Sequence, residues 1–268
     1  MRLPVVVNRK KMKKNSTHKG VLRGLVAFVF LFSLGVSSQS LTGTRGLIKA
    51  PTARMYESGT LAIGMGYVPA KFFKRTYNHR WDTSQNFKGL STGNAGLNTF
   101  ITVYPLPFVE IMFRYTHEFN IEISPQTTYF PDRMFSARFK IVNETKKTPA
   151  IVLGLHDISE LLVLTTGGSN FSSAYFVGSK EFEVNNFSID SSIGYAFGFK
   201  NFPARDFKGV FGGVEIKNNH FDKAQLLIDY DTNSLNAGLQ GYLFNRIHTL
   251  IGLMDFKPMF VLAYRYKI

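Results

Sequence analysis

The chain has 268 residues, of which 44% are hydrophobic, 15% aromatic and 19% charged, with mean hydropathy near zero and no cysteine. This excludes disorder, because the apolar surface available for burial is large. It excludes a helical membrane protein, because no run of about 18 apolar residues follows Phe30, and it excludes disulfide or thiolate chemistry.

The formal net charge of +14 is not a nucleic-acid signature. Arg2, Arg9, Lys10, Lys11, Lys13, Lys14, Lys19 and Arg23 supply eight of those charges before any acidic residue, leaving +6 beyond Gln39, scattered singly. Residues 1–38 read as a signal peptide, with a basic start, the apolar run Leu25 to Val36 and small residues at Val36-Ser37-Ser38. Met12 is an alternative start. An N-terminal anchor is the other reading, but the apolar run is short of the ~20 residues a span needs.

Residues 39–59 are rich in Gly and Pro and lack periodicity. Gly46 and Gly59 suit tight turns, Pro51 biases Ala50 to an extended conformation, and Arg54 is a cation near the start of the first strand. This piece is expected to lie under or inside the following domain as a small plug.

From Thr60 onward two-residue alternation dominates, which places bulky apolar side chains on one face of a strand and small or polar ones on the other. Val109, Ile111, Phe113 and Tyr115 share a face opposite Glu110, Met112 and Arg114. Phe135 to Ile141 repeats the pattern around Arg138 and Lys140, and Phe187 to Phe199 extends it over 13 residues. Strands are expected near 60–67, 97–104, 109–116, 133–142, 150–156, 174–183, 187–199, 208–217, 224–230, 235–243, 247–254 and 259–268. The alternation is weakest in 174–183, where Ser179, Lys180 and Glu181 blur it.

Long connections at 68–96, 117–132 and 157–173 alternate with short ones at 105–108, 143–149 and 184–186; Asp231 to Ser234 and 255–258 are also short. The fold class expected is therefore all-β, an antiparallel up-and-down transmembrane barrel of about twelve strands over 60–268, in the outer membrane of a Gram-negative bacterium. Both termini and the short turns would face the periplasm. The final strand, with Phe260, Leu262, Tyr264, Tyr266 and Ile268 on one face, is similar to the assembly signal of outer-membrane proteins, with Ile268 in place of the usual Phe. A soluble β-sandwich or barrel also alternates, but would turn its bulky face inward.

The inward positions gather Arg114, Arg138, Lys140, Lys217, Arg265 and Lys267 with Glu110, Asp190, Glu215, Asp229 and Gln240. A hydrated lumen of mixed charge is expected. Because few strands leave little open width, an internal salt-bridge network is favoured over a conducting pore. Arg54, Arg114, Arg138 and Lys140 are candidate ligand-binding residues at the lumen or mouth, suited to an acidic polysaccharide. Trp81, Phe72, Phe73, Tyr77 and His79 make 68–96 either a sugar-stacking loop or an interfacial anchor.

Catalysis is not expected. The histidines show no metal spacing, and the acids in His117-Glu118 and His156-Asp157 would point away from their histidines. Ser159 and Ser169 are the nearest conceivable nucleophiles. No metal, cofactor or nucleic-acid partner is expected.

The stretch Leu41 to Met55, followed by Glu57-Ser58-Gly59-Thr60-Leu61, resembles the opening of the YjbH family of exopolysaccharide-related outer-membrane proteins. The resemblance rests on Gly46-Leu47-Ile48, Pro51-Thr52-Ala53-Arg54 and Gly59, with Gly212-Gly213-Val214-Glu215 and Asp229-Tyr230-Asp231 as later elements. It implies a compact single-barrel relative that makes, exports or anchors an exopolysaccharide or capsule. Membrane lipids, lipopolysaccharide and other polysaccharide-export proteins would be its partners. A barrel hydrolase acting on lipid or peptide and a general porin or adhesin are the rival functions.

Overall fold

In the computed structural model, residues 38–70, 95–119, 132–158, 172–199, 207–244 and 246–268 are described. Twelve antiparallel strands form a closed barrel: β1 (Thr60–Val68), β2 (Gly96–Leu106), β3 (Val109–Glu118), β4 (Asp132–Val142), β5 (Ala150–His156), β6 (Ser173–Val184), β7 (Phe187–Gly198), β8 (Gly209–Asn218), β9 (Phe221–Tyr230), β10 (Leu235–Leu243), β11 (Ile247–Met254) and β12 (Lys257–Lys267). Each pairs with its neighbours in sequence, and β1 closes on β12 from Thr60↔Lys267 to Tyr67↔Phe260. Closure leaves no edge strand.

The strand alternation sorts as the sequence predicts. Ile63, Phe113, Tyr115, Phe176, Ile193, Tyr195, Leu239 and Tyr264 project outward and are exposed, Ile193 to 70%. Glu110, Met112, Arg114, Ser136 and Arg138 point inward and are buried. Even the blurred segment forms β6, because its inward Tyr175, Val177 and Ser179 keep the two-residue period.

Some strands run past their expected bounds: β2 reaches Leu106, β9 begins at Phe221 and β12 begins at Lys257. Pro258 lies within β12, opposite Leu253, and the turn is only Asp255-Phe256. Both residues have positive φ (51° and 61°), which matches the right-handed twist of a tight hairpin. Proline is tolerated there because it sits at the strand start.

The strand ends that flank 107–108, 143–149, 185–186, 219–220 and 244–246 lie at one mouth, with the entry to β1 and the end of β12. The strand ends that flank 69–95, 119–131, 157–172, 199–208, 231–234 and 255–256 lie at the other. Below, these are the short-turn and long-loop mouths.

The segment 38–59 occupies the lumen. Bridges Gln39↔Arg45 and Gly46↔Pro51 fold its first part into a compact double turn. The chain then runs to the short-turn mouth, where the Gly59 N–H donates to the carbonyl of Tyr104 (2.8 Å) and β1 begins. Leu41, Leu47, Ile48, Ala50 and Ala53 are all essentially inaccessible.

The interior is therefore drier than expected. Phe100, Tyr104, Met112, Met134, Tyr175, Phe207 and Phe211 are inside and buried with the plug in one core. The reason is physical: the apolar plug side chains need apolar partners, since burying them against bare charges would gain nothing.

Inward glycines make room for these rings. An added Cβ at Gly154 would lie 2.0 Å from the Tyr175 ring, and one at Gly213 would lie 2.7 Å from Leu47 and 2.2 Å from a neighbouring backbone carbonyl. Gly154→Ala is expected to cost about 1–3 kcal/mol, the usual penalty of overpacking, read as a lower midpoint of unfolding in a urea titration.

Candidate functional site

The candidate site is the polar contact between plug and wall, which has three parts. At its centre is Arg138 on β4, whose side chain is fully buried. Its Nη1 donates to Glu110 Oε2 on β3 (2.6 Å) and to the Arg45 carbonyl (2.8 Å). Its Nη2 donates to the carbonyls of Thr52 and Arg54. One guanidinium thus satisfies three plug carbonyls that would otherwise be buried without donors. Glu110 Oε2 also accepts from the Tyr104 hydroxyl (2.8 Å), which adds a neutral hydrogen bond to the buried ion pair.

Toward the long-loop mouth, the chain reverses at Lys49-Ala50. Both backbone N–H groups donate to Asp229 Oδ2 at 2.8 Å, and Asn236 donates to the other oxygen at 2.7 Å. The Lys49 ammonium pairs with Asp231 (3.1 Å), with both groups buried. Asp231 also receives the N–H groups of Asn233 and Ser234, which orders the β9–β10 turn around it.

Toward the short-turn mouth, Arg54 reaches Asp190 on β7 with Nε (2.6 Å) and Nη2 (2.8 Å), and Glu144 with Nη1. A planar fork gripping two carboxylates is a use to which arginine, not lysine, is suited. Glu144 also pairs with Lys180 (2.9 Å) and accepts from the Glu181 N–H (3.1 Å). Burial alone would raise the Glu144 carboxyl; Lys180, the Glu181 amide and Arg54 outweigh it and hold it below its ordinary 4.5. Beside this latch, Arg45 and Arg265 stack over the Tyr56 ring at 4.8 and 5.0 Å, and Arg265 also lies 4.8 Å from Tyr242.

Of the four cations selected from sequence, the structure gathers Arg54 and Arg138 around one strip of plug. Arg114 is buried at an inward position flanked across the sheet by Phe100 and Met134. Lys140 is half-buried, feels the charges of Arg45, Arg54 and Arg138, and makes no ion pair among the described residues. Lys267, placed inward by alternation, is instead exposed at the rim, where it pairs with Glu57.

Sequence reasoning did not find Lys49 or Glu144. Lys49 lies in an aperiodic segment and Glu144 in a turn, where no face assignment is possible. The signal for Lys49 was indirect: the tripeptide Asp229-Tyr230-Asp231 holds its two acceptors, and Gly213 of the other late element receives Leu47.

His156 Nδ1 lies 3.1 Å from Ser136 Oγ, a serine and histidine within contact that sequence did not anticipate. The imidazole packs against Tyr175 and Phe207 at 4.9 and 5.4 Å in the closed core. His248 is likewise held in the wall by Gln240 (3.0 Å). Among the described residues no cluster of His, Asp and Glu is suited to a metal. Ser159, Ser169, Trp81, Phe72, Phe73, Tyr77 and His79 fall outside the described residues.

Removing one partner of the central ion pair strands the other. Arg138→Met is expected to destabilise the protein by about 3–5 kcal/mol, and adding Glu110→Gln to recover part of that loss in the same urea titration. The Glu144 contacts contribute stability above the ordinary carboxylate value and lose it as pH falls through the lowered one. The gap in unfolding midpoint between wild type and Glu144→Gln is therefore expected at neutral pH and should close below that lowered pKa.

The geometry has relatives by sequence. No curated protein matches the chain, but the YjbH family model, described as exopolysaccharide biosynthesis protein YbjH, matches residues 38–246. That range starts at the first described plug residue, spans the first ten strands and ends in the β10–β11 turn. It includes both sides of every plug-to-wall contact of Lys49, Arg54 and Arg138 given above. The chain belongs to the YjbH family of exopolysaccharide biosynthesis proteins.

Proposed function

We propose that this protein is a plugged outer-membrane barrel that acts, without catalysis, in the export or surface anchoring of an exopolysaccharide or capsule in a Gram-negative bacterium. The observation that carries this is the pairing of an apolar outer surface on a closed barrel with a lumen filled by residues 38–59. Most strands have 9–12 residues, close to the ~9–11 that cross a bilayer when tilted. Exposed Phe, Tyr, Ile and Leu on that surface suit lipid tails and the lipid portion of lipopolysaccharide.

The long loops would face outward and the short turns, plug entry and chain end would face the periplasm, following a leader that is removed on export. A static pore of twelve strands is incompatible with a lumen packed by Leu41, Leu47, Ile48 and Tyr175. The work is therefore that of a receptor or scaffold for the polymer and for polysaccharide-export proteins. At the short-turn mouth, Lys140 with Arg45 and Arg54 offers cationic character suited to an acidic polymer.

Deleting the gene is expected to lower surface polysaccharide while the protein fractionates with the outer membrane of the parent strain. The purified protein in planar bilayers should show no steady conductance. Unchanged surface polysaccharide in the deletion strain, a steady conductance, or solubility of the processed chain in buffer without detergent would each overturn this reading.

A further inference from the structure

At the short-turn mouth the plug and wall do not meet everywhere. A cavity of about 250 Å3 remains between them, lined by Arg45 and Arg54 of the plug, Glu181 of β6, Ser188 and Asp190 of β7, Glu215 and Lys217 of β8, and Gln225 of β9. Its size falls just under the ~300–1,000 Å3 of drug-sized ligand sites, which suits one or two sugar rings. Every lining residue is polar.

The charges balance: Arg45, Arg54 and Lys217 against Glu181, Asp190 and Glu215. Arg54 is already committed to Asp190 and Glu144, and Glu181 accepts from Ser188. Gln225 accepts from Gln240 (2.6 Å) through its carbonyl. Lys217 has no carboxylate at ion-pair distance among the described residues. The cavity therefore presents ammonium and amide donors beside carboxylate acceptors.

A ligand bearing a full charge would meet a like-charged side chain on some wall of such a site. A sugar hydroxyl avoids this, because it donates and accepts at once and can be matched to either kind of neighbour. We propose that this cavity is a binding site for a neutral sugar unit of the exported polysaccharide, facing the periplasmic side. The assignment rests on the function proposed above. An acidic polymer would present its neutral residues here and direct its carboxylates toward Lys140 outside.

Two consequences follow from the lining. Among the described residues no aromatic ring lines the cavity, so binding there relies on hydrogen bonds and is expected to be weak. Since Arg45 and Arg54 belong to the plug and the rest to the wall, an occupied site ties the two together and stabilises the seated plug by mass action.

The test uses the processed protein in detergent with maltohexaose, cellohexaose, mannohexaose and galactohexaose as neutral probes and hexagalacturonate as the acidic one. At least one neutral probe is expected to bind by calorimetry and raise the thermal midpoint, with hexagalacturonate at least about tenfold weaker. Lys217→Met and Glu215→Gln, made separately, should each weaken that binding about tenfold, as loss of a hydrogen bond to a charged group does.

Each variant should retain the native barrel, checked by resistance to unfolding in sample buffer without heating. If one variant fails to fold, the other decides. Absence of binding by all four neutral probes, preference for hexagalacturonate, or undiminished binding in a folded variant would overturn the proposal. If these outcomes arise while gene deletion still depletes surface polysaccharide, the cavity assignment alone falls; if deletion has no effect, the proposed function falls with it.

Discussion

A guanidinium with no solvent contact, deep inside a cylinder of sheet, must find several acceptors or its burial would not be tolerated. Arg138 finds them on both sides of a boundary: the Glu110 carboxylate belongs to the wall, and the carbonyls of Arg45, Thr52 and Arg54 belong to the plug. Apart from its two isolated bridges the plug backbone has no strand neighbour along this stretch, so these carbonyls need a donor as much as Arg138 needs acceptors. Neither component is satisfied without the other. The apolar core around Leu47 and Tyr175 then fills the remaining lumen, and the ion pairs of Lys49 and Arg54 fix the two ends of the segment.

The barrel itself was legible in the sequence because outward-facing and lumen-facing side chains impose a period of two, and Phe187 to Phe199 displays it without any tertiary knowledge. Burial of Glu110, Arg114 and Arg138 followed from the same period. The period determines only which way a side chain points, however. It does not say what the side chain meets, so Arg138 could be placed inward without revealing that it clasps backbone carbonyls. The path of residues 38–59 was hidden for a related reason: bridges at Gln39↔Arg45 and Gly46↔Pro51 are isolated and leave no periodic trace. The rings of Tyr175 and Phe211 facing inward became intelligible only once the plug was present to cover them.

The segments that resemble family elements acquire a common physical meaning in the structure. Gly46-Leu47-Ile48 and Pro51 to Arg54 lie in the plug; Gly213, Asp229 and Asp231 lie in the wall that receives it. What looked like separate motifs is one interface seen from its two sides. The exposed outer surface needs only to be greasy, and many side chains serve there. The inner contact tolerates far fewer, because each buried charge must meet its counterpart.

The way the cylinder is sealed has a further implication for biogenesis. The Ile268 N–H donates to the carbonyl of Gly59, and β12 zips onto β1 directly below the plug. The seam thus joins Ile268 to Gly59, the residue at which the plug ends. A wall completed beforehand would leave residues 38–59 only a mouth to thread, which favours seating them while the seam is open. Stuffing of a finished cylinder is thereby disfavoured, and the slow, long-range step of folding becomes the pairing of β1 with β12 around the seated segment.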